Sequence, residues 1–243
     1  MRLLPPLLLA LLALTARAQD AETVRLPPVS TDLKRDASAF PYKQMNTVLA
    51  KLARYGEGLV RMDFRIDAEK AGMPAGQQRV VVRSDEADYP IRIGDDGVFS
   101  MPVLPETEAA TADLATNVPK GKLNVRGTLE LNVTPEQLDM AKVRQLMRVA
   151  RRLREEMLPW YLRPLFPRIQ AVRVCSSTPT WELEWRENGQ LLGLPLPVAA
   201  GERDPETKKD APAKPCALLT GEERWPDAAR LIPPPGTRIS VKY

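Results

Sequence analysis

Proline is the residue that most limits what this chain can fold into. The 243 residues include 24 prolines against only 13 glycines. The proline ring fixes φ and removes the backbone N–H, so proline ends helices and confines strands to sheet edges. We therefore expect short strands joined by turns, with one strong helix between Pro135 and Pro159.

Composition narrows the class of protein. The chain is 44% hydrophobic, 27% charged and 5% aromatic, which excludes a disordered tail, a collagen-like fibre and a multi-span membrane protein. It contains no histidine, the side chain that serves most acid–base and metal chemistry near neutral pH. The sequence identifies no reaction, and we predict no catalytic residue, cofactor or metal ligand.

The first 18 residues are predicted to be a signal peptide. Arg2 precedes the apolar run Leu3–Leu14, and Ala16 and Ala18 form the small-x-small pattern at which signal peptidase cuts. The apolar run is shorter than the roughly 20 residues that span a bilayer. We expect cleavage before Gln19 and a periplasmic location.

Cleavage also changes the charge of the protein. Losing Arg2 and Arg17 lowers the formal net charge from +4 by two. A nearly neutral exported chain is not expected to bind nucleic acid.

The two cysteines support an exported protein. An exported chain meets an oxidising compartment, where a lone pair of cysteines usually forms a disulfide. We predict a disulfide between Cys175 and Cys216, enclosing a polar, proline-rich stretch at 201–215.

An internal repeat organises the rest of the chain. Residues 80–105 align without a gap on residues 172–197. The shared pattern is apolar alternation at period two, a tight turn of Asp or Asn with Gly, and a strand that ends in Leu-Pro. The identical positions are Val80, Val82, Ser84, Gly97, Leu104 and Pro105, which align with Val172, Val174, Ser176, Gly189, Leu196 and Pro197.

The repeat predicts a mainly β (α+β) fold of two small antiparallel β-sandwich-like units. After an N-terminal linker at 19–44, the first β unit covers 45–134 and opens with a short helix at 45–55. The second β unit covers 168–243 and contains the disulfide. The alternative is one merged sheet built from both copies.

The connecting region, 135–167, combines a helix with a proline- and aromatic-rich connector. Thr134 is the predicted N-cap, Pro135 the first helical residue and Gln137 the partner in a capping box, so we expect a helix over 135–157. Its apolar side is predicted to include Met140, Val143, Met147, Ala150, Leu153 and Met157.

Four arginines follow another side of this helix. Arg144, Arg148, Arg151 and Arg152 are expected to form a solvated face that Glu155 and Glu156 partly neutralise, with the aromatic connector packed between the two units. The alternative is that these arginines contact an anionic lipid or lipopolysaccharide surface, with interfacial anchors in the connector. The anchors would be Trp160, Tyr161 and Phe166.

Two further groups of residues have a structural and a functional interpretation. Trp181 and Trp185 alternate around Leu183 and are expected to face the core, the alternative being an aromatic platform for sugar or peptide. Acidic residues crowd two loops of the first unit and are expected to be solvated turns, the alternatives being calcium ligands or a paired-carboxylate catalytic site. These are Asp85, Glu86, Asp88, Asp95 and Asp96.

Three functions remain open from the sequence. The favoured one is a non-catalytic binding or adaptor protein of the cell envelope, whose partner is an envelope protein or peptide. The second is a protein that binds an anionic lipid or lipopolysaccharide surface through the arginine-bearing helix. The third is a carboxylate-dependent hydrolase.

Overall fold

Short antiparallel strands dominate the structure, which confirms the predicted mainly β character. The computed structural model describes residues 33–35, 41–165, 167–205, 207 and 211–243. The predicted signal peptide and most of the predicted linker lie outside these residues, as does Phe166. All described residues belong to one compact unit.

The strands and helices are numbered in chain order. The strands are β1 (Lys34–Arg35), β2 (Val60–Ile66), β3 (Val80–Arg83), β4 (Asp88–Ile91), β5 (Val98–Phe99), β6 (Asp113–Thr116), β7 (Val125–Leu131), β8 (Ala171–Cys175), β9 (Glu182–Glu187), β10 (Gln190–Pro195), β11 (Cys216–Leu219), β12 (Arg230–Ile232) and β13 (Arg238–Lys242). The α-helices are α1 (Tyr42–Tyr55), α2 (Ala68–Ala71), α3 (Glu106–Ala109) and α4 (Met140–Met157). Single 3₁₀ turns cover Ala75–Gln77, Pro135–Gln137 and Arg163–Leu165.

The strands form four separate sheets, so the merged sheet that the sequence left open is not formed in the described part of the chain. The first β unit contains the sheets β1-β6-β3-β4 and β5-β2-β7, in which β1 comes from the predicted linker, and the second contains β11-β8-β13 and β10-β9-β12. Every strand pair is antiparallel. Each unit has its own buried apolar core to which both of its sheets contribute.

The two copies of the repeat differ in how their strands pair. In the second copy, Asn188 and Gly189 have positive φ and form a two-residue turn between β9 and β10, as predicted. In the first copy Gly97 also has positive φ, but β5 after it pairs with β2 rather than with β4. The hairpin predicted around Gly97, in which β4 would pair with β5, is therefore wrong. Strand β2, which precedes this copy in sequence, pairs with β5 instead.

The long helix begins later than the sequence predicts. The backbone N–H of Thr134 does donate to Gln137 Oε1 at 3.1 Å, but this capping box opens only a 3₁₀ turn. Helix α4 starts at Met140, where Asp139 caps the helix by accepting the Lys142 N–H at 2.7 Å. The helix ends before Pro159, as predicted.

Strand pairing with the second unit explains the late start of α4. The carbonyl of Leu138 accepts the Leu231 N–H at 2.9 Å, and the N–H of Met140 donates to the Ala229 carbonyl at 2.9 Å. These backbone groups are therefore not available to an α-helix that begins at Pro135. Helix α1 similarly differs from its predicted span and begins at Tyr42 rather than at Met45.

The predicted disulfide is confirmed. Cys175 on β8 and Cys216 on β11 are directly opposite each other in the strand register and are joined. Both side chains are buried. This disulfide fits an oxidising, exported compartment. No helix in the described ranges is long and apolar enough to cross a bilayer.

Candidate functional site

An apolar cavity of about 270 Å³ lies between the two β units. Its walls come from β2 and β7 of the first unit, from α4, and from β8, β13 and the end of the connector in the second unit. The lining residues are Leu52, Val60, Met62, Leu129, Leu131, Leu146, Met147, Ala150, Leu153, Arg154, Met157, Leu158, Pro167, Ile169, Val172, Val241 and Tyr243. At about 30 Å³ per water, this volume corresponds to roughly nine water molecules.

Strand register and helical spacing create the walls. Val60 is opposite Leu131 and Met62 is opposite Leu129, so these four side chains share one face of the sheet. Across the cavity, α4 contributes residues at three- and four-residue spacing, which lie on one side of a helix. In the second unit, Val172 is opposite Val241. The cavity is therefore a product of regular elements rather than of a loop.

Arg154 is the only charged residue among the described residues that line the cavity. Its guanidinium donates to the backbone carbonyl of Arg163. Arg163 in turn donates to the carbonyls of Leu158 at 3.0 Å and Glu155 at 2.7 Å. These contacts complement the negative end of the α4 dipole and fasten the connector to the helix.

Other cations gather at the same end of α4. Lys51 Nζ donates to the Glu156 carbonyl at 2.6 Å. The guanidinium groups of Arg54 and Arg152 lie 5.3 and 5.0 Å from the centre of the Tyr55 ring, within cation–π range. Helix α1 and the end of α4 together form a basic surface beside the cavity.

The four predicted arginines do not form one uniform face. Arg148 and Arg151 are exposed, and Arg152 is exposed while its guanidinium lies over Tyr55. Arg144 is different, because it is half-buried against the second unit. The prediction of a uniformly solvated stripe is wrong at this position.

Arg144 binds a single loop of the second unit. It donates to the carbonyl of Gly221 at 3.2 Å and to those of Glu223 and Trp225 at 2.7 Å each. It also forms an ion pair with Asp227. A guanidinium with four acceptors at fixed positions holds the 221–227 loop on α4 and is not available to a surface.

The connector was expected to pack between the units, and the structure corrects this expectation. Trp160, Tyr161 and Leu165 are 77%, 59% and 76% exposed. The rings of Trp160 and Tyr161 meet edge to face, with their centres 5.9 Å apart. Of the described connector residues, Leu158 and Pro167 at its two ends face the cavity.

The predicted tryptophan pair lies in the core of the second unit. Trp181 is 1% exposed, and Trp185 is partly buried against the same core. Neither indole N–H has a hydrogen-bond partner. Trp181 presents no ring to solvent, so the aromatic platform that the sequence left open is not formed.

The acidic loops are occupied by local contacts. Asp88 forms a two-pronged pair with Arg83, at 2.7 and 2.8 Å, which lowers the pKa of the carboxyl. Asp85 pairs with Arg35 at 3.3 Å, and Asp96 accepts the Val98 N–H at 3.0 Å. Within the described ranges no three metal-binding side chains come together.

Tyr42 is the residue whose proton affinity changes most clearly. Its hydroxyl donates to the Pro102 carbonyl at 2.8 Å and lies 3.3 Å from Asn46 Oδ1. Burial, followed by the negative charge of Glu108, raises the pKa of Tyr42 to about 12. The side chain of Asn46 also bonds both backbone groups of Leu104, at 2.8 and 2.9 Å. This network fastens α1 to the first unit and has no connection with the cavity.

Sequence reasoning missed the cavity, although one signal was present. The apolar residues predicted on one side of α4 are too many for a single contact surface: Val143 lies in the second core, whereas Met147, Ala150 and Met157 line the cavity.

A search with family models found no match to this chain, and comparisons with curated proteins and with solved structures found none either.

Proposed function

We propose that this chain is an exported, non-catalytic binding protein of the cell envelope, resident in the periplasm, and that the cavity between its β units is the binding site. The observation that carries the proposal is the cavity lining, in which Arg154 is the only charged side chain among the described residues. Ligand-binding pockets are typically lined by apolar side chains with few polar groups, as this one is.

The partial exposure of four lining residues supports binding rather than simple packing. Val60, Met62, Leu129 and Leu131 form a continuous apolar surface that is only partly buried. Water in contact with such a surface costs free energy. An apolar group of an envelope component would recover this free energy.

Export is supported by two independent features. The buried disulfide between Cys175 and Cys216 requires an oxidising compartment to form and persist. The apolar run that ends at Ala18 has the organisation of a cleavable signal.

The ion pairs formed by the candidate acidic residues favour a non-catalytic role. Asp88 is paired with Arg83, which lowers the pKa of the Asp88 carboxyl and makes it a weak general acid, and Asp85 is paired with Arg35. The hydroxyl of Ser84 accepts the N–H groups of Glu86 and Ala87, at 3.2 and 3.0 Å, as a turn residue does.

We further propose that the two β units are sandwich-like and arose by duplication. Support comes from the matching positions of β3 and β8 in the alignment, from the shared positive φ of Gly97 and Gly189, and from the presence of two sheets in each unit. Later exchange of strand partners would then account for the different position of β5.

The binding proposal is tested with an uncharged fluorophore, N-phenyl-1-naphthylamine, whose emission rises in apolar surroundings. The Ala150→Phe variant places a ring in the cavity, and we expect it to weaken binding by about tenfold or more relative to the wild type. Ala141→Phe is the matched control, because Ala141 is exposed on the same helix and does not line the cavity. A wild type that fails to bind, or equal binding by both variants, would refute the assignment of the site.

A further inference from the structure

We infer that the ligand of the cavity is an acyl chain of an anionic membrane lipid, and that the connector docks the protein on the lipid surface that supplies it. This inference rests on the proposed function. It specifies the ligand class of the same site and adds an interaction surface, the exposed part of the connector at 160–165 together with the basic end of α4.

The chemistry of the lining favours a hydrocarbon over a peptide. A peptide carries a donor and an acceptor at each residue, and burying these without partners is costly. Among the described lining residues only Arg154 and Tyr243 carry a polar side-chain group, and the Arg154 guanidinium donates to the Arg163 carbonyl. Strands β7 and β13 also approach each other closely across the cavity, which leaves no place for an added strand between them. A hydrocarbon chain needs no hydrogen-bond partner.

The exposed aromatic residues are those expected at a lipid interface. Trp160 and Tyr161 combine an apolar ring with one polar group, the combination that favours the headgroup region of a bilayer. Leu165 adds an exposed aliphatic side chain. These residues lie between Leu158 and Pro167, both of which line the cavity, so the same segment faces the proposed bilayer and the proposed ligand.

The connector is held in place from behind. Arg163 bonds the carbonyls of Leu158 and Glu155, and its own carbonyl accepts from Arg154. A segment fixed to the end of α4 loses little conformational entropy when it docks. This fixation favours binding by an already formed surface.

Charge identifies the kind of lipid. The α4 end and the adjoining part of α1 gather more cations than carboxylates, and the carboxylates there include Glu155, Glu156 and Glu106, which lies beside Lys51 and Arg54. Arg151 follows Ala150 and Arg168 follows Pro167, so each is next to a cavity residue and each is exposed. The cations are Lys51, Arg54, Arg151, Arg152, Arg154, Arg163 and Arg168. A basic surface beside exposed aromatic residues complements an anionic headgroup.

The experiment measures co-sedimentation of the full chain with vesicles of phosphatidylglycerol or of phosphatidylcholine. We expect the wild type to bind phosphatidylglycerol vesicles, to bind phosphatidylcholine vesicles far more weakly, and to lose affinity as salt rises. The double variant Arg151→Glu, Arg168→Glu should weaken binding by about fivefold or more per arginine. Lys120→Glu with Lys122→Glu is the charge-matched control in an exposed loop of the first unit, and it should bind nearly as the wild type does.

The aromatic and cavity contributions are separated by further variants. Trp160→Ala with Tyr161→Ala should weaken vesicle binding about tenfold or more, while Leu191→Ala, an equally exposed apolar position on β10, should leave it unchanged. Mass spectrometry of protein recovered from the vesicles should find bound phosphatidylglycerol on the wild type. Ala150→Phe should still sediment with vesicles but should carry no lipid.

The two proposals fail in different ways. If the neutral fluorophore binds but the protein ignores phosphatidylglycerol vesicles, the lipid assignment is overturned and the cavity remains a binding site. Equal binding to both kinds of vesicle would also overturn it. So would a dimer in solution that dissociates in Trp160→Ala with Tyr161→Ala, because a second copy would then cover the connector. Failure of the fluorophore to bind would instead reject the proposed function.

Discussion

The two β units are fastened to their helices by different chemistry. Helix α1 is held to the first unit by uncharged groups, because Tyr42 and Asn46 bond the backbone of the 102–104 segment. Helix α4 is held to the second unit by a charge, because Arg144 bonds the carbonyls of the 221–227 loop and pairs with Asp227.

The comparison shows that a common layout does not require common interactions. In each case a helix binds a loop that follows it in sequence through side chain to backbone hydrogen bonds. Because only the second contact carries charge and only the first contains a titrating tyrosine, the two units should respond differently to mutation and to pH.

The largest effect should come from removing the covalent link of the second unit. Cys175→Ala with Cys216→Ala opens a loop whose ends are 41 residues apart in sequence, and chain entropy predicts a loss of about 4 kcal/mol in the free energy of unfolding. Urea denaturation measures the loss. Hydrogen exchange in α1 should stay slow in the same variant, and accelerated exchange there would show that the two units do not respond separately.

Removing the charged contact should have the next largest effect. Arg144→Ala leaves three carbonyls without their donor, and we expect a loss of about 3 kcal/mol, again by urea denaturation. Arg148→Ala is the control, since this exposed arginine of the same helix should change stability by about 0.5 kcal/mol or less. Similar losses for both variants would mean that Arg144 does not fasten the loop.

The neutral contact of the first unit should be weaker and should fail at high pH. Tyr42→Phe removes one buried hydroxyl and should cost about 1 kcal/mol near neutral pH. Because burial raises the pKa of Tyr42 to about 12 in the folded protein, from about 10 when unfolded, its contribution is complete below pH 10. It is lost as the pH rises toward 12.

Measuring the free energy of unfolding from pH 9 to 12 tests whether stability falls as Tyr42 ionises. The wild type should lose stability more steeply than Tyr42→Phe above pH 10, so that its advantage of about 1 kcal/mol disappears and the two curves cross before pH 12. Parallel curves would exclude ionisation of Tyr42 as the cause.

The sequence predicts the strands well because the alternation of apolar and polar residues and the residues that favour tight turns both act over a few neighbouring positions. The Asn188-Gly189 turn and the end of α4 before Pro159 follow from neighbouring residues, and the disulfide follows from the presence of a single pair of cysteines. The start of α4 does not, because the 229–231 segment bonds Leu138 and Met140 from far along the chain. For the same reason, the spacing of the four arginines along α4 could not show that Arg144 is the one that binds the 221–227 loop.

The cavity is the feature of the structure that the sequence predicts least well. Leu129 and Leu131 alternate with polar residues in the sequence, yet alternation indicates only which side of a strand is apolar and not whether another element covers it. Whether the partners of an apolar face fill the space completely depends on the packing of both units. The candidate site is therefore a tertiary property, and only its helical wall left a trace in the sequence.

The backbone pairing of Leu138 and Met140 with the 229–231 segment also bears on the order of folding. The strands of the first unit end at Leu131, and its core is complete once Leu153 is present. The second unit needs β13, its last strand, and closes contacts that span about ninety residues of chain, which makes its formation slow. During synthesis or translocation, Val133, Val143 and Leu146 should remain exposed after the first unit has folded. That interval is when the nascent chain is most open to chaperones and to aggregation.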